Sequence, residues 1–166
     1  MNHAIKVKDE IYWVGVNDRK TDLFESLWPL PRGVAYNAYL INDEKVALID
    51  TVKAPFEMDY LQNIQKITGT DRKVDYLIIN HMEPDHSGAI RFLTRMYPDI
   101  TIVGNKKTME FLKDFYGVTD NTLVIEDGQS LSLGARTLQF HITPMVHWPE
   151  TMMTYEASSG MLFTGD

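Results

Sequence analysis

The sequence predicts one domain of the α+β class, with β-hairpins at both ends and helices alternating with strands between them. Three observations predict it. Short β-branched runs flank polar turns near the N-terminus, apolar residues recur at helical spacing through the middle, and short strands separated by turn residues return after Gly117. The length of 166 residues suits one domain with a real core better than two.

The elements follow in order. IKV and IYWVGV flank the polar turn KDE, and VAYNAYLI and KVALID flank NDE, so each pair reads as a hairpin. Pro31, Arg32 and Gly33 read as a turn. In PFEMDYLQNIQKITG, residues Phe56, Tyr60, Leu61, Ile64 and Ile67 share a helical face, with Pro55 near its start and Gly69 near its end. VDYLIIN, residues 74–80, reads as a buried strand. SGAIRFLTRMYPD reads as a helix with Ser87 as its N-cap. After the strand ITIVG, Asn105 is expected to cap the helix KKTMEFLKDFYG, which stops at Gly117. Then come TLVIE, the turn EDG, QSLSL, RTLQFHITPM, MMTYEA, the turn SSG and MLFTG, all β in character. No repeat, low-complexity segment or linker interrupts them.

Composition excludes several functions. A formal charge of −7 with no basic stripe argues against nucleic-acid binding, which needs clustered Lys and Arg. With no cysteine, a metal would have to take nitrogen and oxygen donors. The charged, alternating opening MNHAIKVKDEIYW is unlike a signal peptide, and no apolar run is long enough to span a bilayer. A cytoplasmic protein is the expectation.

HMEPDHSGAI, residues 81–90, carries the chemistry. His81, Glu83, Asp85 and His86 crowd into six positions where a buried strand gives way to a helix. Two acids before a helix can simply favour its positive end, but two imidazoles with them make a metal site the better account. Alternate residues of an extended segment share a side, so His81, Glu83 and Asp85 are expected to converge while His86 points to a second position. One loop could then serve two metals. His147, in TPMVHWPE, and Asp166, closing MLFTGD, stand likewise at the far ends of strands, where ligands in layered α/β folds gather. Asp50, closing VALID, is expected to orient a ligand histidine. His3 is expected to be inert and His141, in mid-strand, to pack or face solvent. The methionines are expected to fill core gaps.

LIDT (48–51), the His81-x-Glu83-x-Asp85-His86 loop, the later His147 and a strand ending in Gly165–Asp166 resemble the metallo-β-lactamase superfamily, whose fold is an αββα sandwich. Within it, GVAYNAYLI (33–41), INHMEPDHSGAI (79–90), TPMVHWPETMMTY (143–155) and LFTGD (162–166) are similar to the flavodiiron proteins. These A-type flavoproteins reduce dioxygen to water or nitric oxide to nitrous oxide. The superfamily's hydrolases usually carry histidine where this sequence has Glu83. Carboxylate is a harder, charged donor that suits iron and its ferric state, whereas imidazoles suit zinc.

The resemblance implies one iron on His81, Glu83 and His147, a second on Asp85 and His86, and Asp166 bridging them. It implies FMN in a flavodoxin-like domain, a rubredoxin-like electron donor and a head-to-tail dimer that brings one subunit's flavin to the other's irons. Trp28, Pro29, Trp148 and Pro149 would wall the site. By the same resemblance, residues 1–166 are the N-terminal portion of the diiron domain, truncated within the sandwich. The family's last histidine ligand and the flavin domain are expected beyond Asp166, so the second iron is expected to bind weakly. Two other readings are a zinc-dependent hydrolase of the same superfamily and a noncatalytic half-fold completed by a partner chain.

Overall fold

The computed structural model describes residues 3–166. The hairpin β1 (Ile5–Lys8) and β2 (Ile11–Trp13) is followed by β3 (Val16–Asp18), β4 (Leu23–Phe24), β5 (Trp28–Pro29), β6 (Val34–Tyr36), β7 (Tyr39–Asn42) and β8 (Val46–Ile49). A 3-10 turn at Ala54–Phe56 leads into α1 (Glu57–Thr68), then β9 (Tyr76–Ile78), α2 (Pro84–Ser87), α3 (Ile90–Met96), β10 (Thr101–Gly104) and α4 (Lys106–Tyr116). The chain ends with β11 (Thr122–Val124), β12 (Ser130–Ser132), β13 (Thr137–Ile142), β14 (Met152–Glu156) and β15 (Met161–Phe163).

Seven strands form one sheet in the order β1-β2-β7-β8-β9-β10-β11, antiparallel up to β8 and parallel from β8 onward. Strands β12-β13-β14-β15 form a second, antiparallel sheet. The period-2 alternation of strand side chains explains the layering. Leu40, Leu48, Leu77 and Ile102 point to one face and pack with Tyr60, Ile64, Ile90, Leu93 and Leu112 of the helices. Their neighbours Ile41, Ala47, Ile49, Ile78 and Val103 point to the other face and meet Leu138, Phe140, Met152 and Phe163 of the second sheet. The described residues thus make a helix layer on two face-packed sheets, as the α+β sandwich reading expects.

Local chemistry explains most elements. Acidic Glu57 and Asp59 open α1 and Lys66 closes it, complementing the helix dipole. Buried Asn63 on α1 donates through Nδ2 to the carbonyls of Val14 and Gly15, at 3.2 and 3.0 Å. That contact divides the expected run IYWVGV: β2 stops at Trp13, and a new strand, β3, pairs with β6 instead. Gly15 permits the crossing, because a Cβ there would lie 2.1 Å from the Tyr36 carbonyl oxygen. VAYNAYLI divides in the same way into β6 and β7. Asn105 caps α4 as expected, its side chain accepting from the Lys107 and Thr108 amides, and Gly117 ends that helix with φ 64°. Strand β13 stops before Pro144, which cannot donate to a ladder.

The Ser87 cap is corrected. Pro84 occupies the first turn of α2 behind Glu83, where its fixed φ suits a helix start. Ser87 closes that turn, its hydroxyl 2.8 Å from the Met82 carbonyl and 2.9 Å from that of Glu83, and α3 begins only after Ala89. The segment therefore stops being extended at Glu83.

Candidate metal centre

The site lies along one edge of the sandwich. Parallel β8 and β9 both run out there, into Asp50 and into Asn80–His81, and so do β13 and β15 of the second sheet, into the His147 loop and Asp166. Asn80 joins the two sheets at this edge. Its carbonyl accepts from the Met152 amide at 3.0 Å, its Nδ2 donates to the Phe163 carbonyl at 3.2 Å, and its Oδ1 accepts from the Thr154 hydroxyl at 2.7 Å. The strand end that leads to Asp166 is thereby set against the one that leads to His81.

His81, Glu83, His147 and Asp166 each offer a donor atom, all four within 4.8 Å of one another, a set that could hold a metal ion. Glu83 Oε2 stands 3.1 Å from His81 Nε2 and 3.3 Å from His147 Nε2. Asp166 Oδ2 stands 3.5 Å from His147 Nε2 and also 3.7 Å from His86 Nε2. His86 Nε2 in turn lies 3.3 Å from Asp85 Oδ2. One carboxylate oxygen of Asp166 is therefore shared between a His81–Glu83–His147 group and an Asp85–His86 group.

Convergence of His81, Glu83 and Asp85 from one side is corrected. His81 and Glu83 do meet, but the α2 turn rotates Asp85 away to face His86. Asp50 does act on a candidate ligand histidine, but through that residue's backbone. It adopts φ 56°, and its Oδ1 accepts from the backbone amides of Asn80, at 2.7 Å, and His81, at 3.3 Å. It therefore orients the peptide that carries His81 rather than an imidazole ring.

The ring is held by Glu150, which the motif reading passed over. Its Oε1 lies 2.8 Å from His81 Nδ1 and accepts from the Met82 amide at 2.8 Å. An acid three positions after His147 was the visible signal, but its partner lies 69 positions away in the chain. Trp148 meets the His81 ring edge-on at 5.2 Å. Trp28 lines, with Asp85, His86 and Asp166, an open cavity of about 270 Å³. Pro29 and Pro149 are exposed. His3 is exposed, and His141 of β13 is half-buried opposite Met153 of β14. Met82 and Met152 fill core positions, but Met58, Met96 and Met145 are exposed, so the core-filling expectation for the methionines holds only in part.

Electrostatics follow from crowding charge in a half-buried place. Burial works against an imidazolium at His81, but the hydrogen bonds to Glu150 and Glu83 outweigh it and raise its pKa. Burial opposes charge at His86 too, and Asp85, Asp50 and Asp166 overcome it. Burial pushes the Asp85 and Glu150 carboxyls up, yet His86 pulls Asp85 below its usual value, and His81 with the Met82 amide does the same for Glu150. Asp50 is different: burial prevails and takes it up to about 6, against the pull of His86 and of the Asn80 and His81 amides. Asp85 Oδ1 is buried without a hydrogen-bond partner. A buried carboxylate oxygen left bare calls for a cation, so the residues fit a second metal beside the first.

Two face-packed sheets with imidazoles and carboxylates gathered at their shared edge define a β-lactamase-like domain with a candidate metal centre. The family model described as ODP family beta lactamase matches residues 34–166, and the chain belongs to that family. The nitric oxide reductase of Moorella thermoacetica is 38% identical over all of this chain and 42% of its own length. The flavodiiron protein of Giardia intestinalis superposes with a TM-score of 0.91 at 32% identity, over 98% of this chain and 39% of that one. Rubredoxin oxygen:oxidoreductase of Desulfovibrio gigas gives 0.91 at 34%, over 96% and 40%. The chain thus spans about two fifths of the length of these relatives.

Proposed function

We propose that this chain forms the metal-binding part of a diiron oxidoreductase that reduces O2 to water, NO to nitrous oxide, or both. In this reading His81, Glu83 and His147 would hold one iron, Asp85 and His86 would hold the other, and Asp166 would be shared between the two groups. The observation that carries the reading is the position of Asp166 Oδ2, 3.5 Å from His147 Nε2 and 3.7 Å from His86 Nε2. Irons held by these residues would supply redox chemistry for reducing one small molecule. The names of the relatives, nitric oxide reductase and rubredoxin oxygen:oxidoreductase, support this choice of substrates.

The chain's own residues do the positioning. Asp50 and Asn80 fix the backbone of the His81 loop, α2 carries Asp85 and His86 as one rigid turn, and Trp148 screens one side of the His81 ring from water. Electrons would arrive through FMN in a flavodoxin-like domain beyond the residues of this chain, from a rubredoxin-like donor, in a head-to-tail dimer. Residues 1–166 would then be the N-terminal portion of the diiron domain, in a cytoplasmic enzyme. Among the described residues no helix is long and apolar enough to cross a membrane.

Metal analysis by mass spectrometry on protein purified anaerobically without added metal tests the proposal. Iron at one equivalent per chain or above is the expected result. Zinc alone would turn the reading to a hydrolase, and a chain that takes up no metal even when iron(II) is supplied would overturn it.

A further inference from the structure

Glu150 is fully buried, yet only one of its two carboxylate oxygens is used. Oε1 takes the His81 ring and the Met82 amide, each at 2.8 Å, while Oε2 has no partner. Burying a carboxylate is costly unless its charge is matched, so backbone support of Met82 alone would be served better by a neutral amide. The second ring nitrogen of His81, Nε2, faces Glu83 at 3.1 Å, on the side where His147 and Asp166 gather. The Asn105 side chain donates to the Glu150 carbonyl at 2.6 Å, so the backbone behind this carboxylate is itself anchored.

We propose that Glu150 is a positioning residue that holds His81 in its Nδ1–H form, leaving Nε2 as the metal donor, and that its negative charge strengthens that donor. The inference rests on the metal-binding reading above and adds to it what selects the donor atom. An ionised carboxylate can only accept, so the Glu150 oxygen shared by the Met82 amide and His81 Nδ1 accepts from both, and Nδ1 must carry the proton. A carboxylate behind an imidazole raises its basicity, and loss of such a partner typically weakens metal binding by about 10–100-fold.

Two measurements on the 166-residue chain test it, with Glu150→Gln and Glu150→Ala beside the parent. The first is the 15N shift pattern of His81 in metal-free protein, above the pH at which its imidazolium loses a proton. The second is cobalt(II) affinity, read from the visible absorption of the bound ion. The parent is expected to show Nδ1–H. Glu150→Ala is expected to show mixed tautomers and an affinity lower by about 10–100-fold. Glu150→Gln keeps an acceptor oxygen without the charge, so it should retain the tautomer while its affinity falls between the other two. An Nε2–H ring in the parent, or unchanged cobalt affinity in both variants, overturns the proposal. Should Glu150→Ala not fold, the Gln variant and the parent tautomer still decide it. A parent that binds no cobalt sinks the metal reading, while the His81 tautomer still judges Glu150.

Discussion

Glu83 shows how much one side chain decides at this site. Its Oε2 sits between His81 Nε2 and His147 Nε2, at 3.1 and 3.3 Å, so it is the shared member of that group. Glu83→Gln keeps the shape and removes the charge. Iron(II) affinity measured by titration calorimetry should fall by at least the ~10–100-fold that loss of an outer partner alone produces. Asn80 matters for stability rather than for donors. Asn80→Ala would strand the Thr154 hydroxyl and the Phe163 carbonyl in the interior. A loss of about 1–3 kcal/mol in urea unfolding is expected.

At the scale of elements, the helices are carriers for the site. The Asn105 cap starts α4 and also anchors the Glu150 carbonyl. Asn105→Ala should cost about 1 kcal/mol for the cap, and more than the cap alone through the Glu150 contact, seen as a lower thermal midpoint. The turn α2 is tied from below by Ser87, whose hydroxyl also meets Tyr116 of α4 at 2.7 Å. Gly88 allows this turn to lie against the Lys53–Ala54 backbone, since a Cβ there would come within 2.6 Å of the Ala54 nitrogen. Strands had the plainest signatures, because their alternation tracks two apolar layers. Their interruptions at Val14–Gly15 and Asn37–Ala38 did not, because the break comes from Asn63 and from a change of pairing partner.

For the whole molecule, stability without metal should depend on pH in two directions. His81 and His86 have folded pKa values above the ordinary 6.5, so their contribution is complete below that value and is lost as pH rises through the folded values. Asp50 acts in the same direction: at about 6 folded against 3.8, its contribution is lost as pH climbs through that interval. Asp85, Glu150 and Glu156 are depressed, so their contribution is present above the ordinary carboxylate range and vanishes as pH falls through their folded values. Thermal midpoints of metal-free protein should therefore decline at both ends. Saturating metal should flatten the alkaline limb, because its imidazoles are already deprotonated. A limb unchanged by metal would count against ligation by these histidines.

The donor counts give a second expectation at this scale. The His81 group has two imidazoles and two carboxylates counting Asp166, whereas Asp85, His86 and Asp166 offer one imidazole and two carboxylates. Iron(II) titration should therefore show two unequal classes of site, and two equal tight sites would contradict it.

By itself the sequence determined the α+β layering, the cap at Asn105 and the crowding of His81, Glu83, Asp85 and His86 at a strand end, with His147 and Asp166 at two others. These are local facts, written in side-chain periodicity, cap chemistry and spacing along the chain. Only the tertiary structure decided that Asp85 turns to His86, that Ser87 closes a helical turn, that Asp50 grips a peptide and that Glu150 holds the His81 ring. The physical reason is distance along the chain: a hydrogen bond between residues 69 apart exists only once two sheets have packed and their strand ends share an edge.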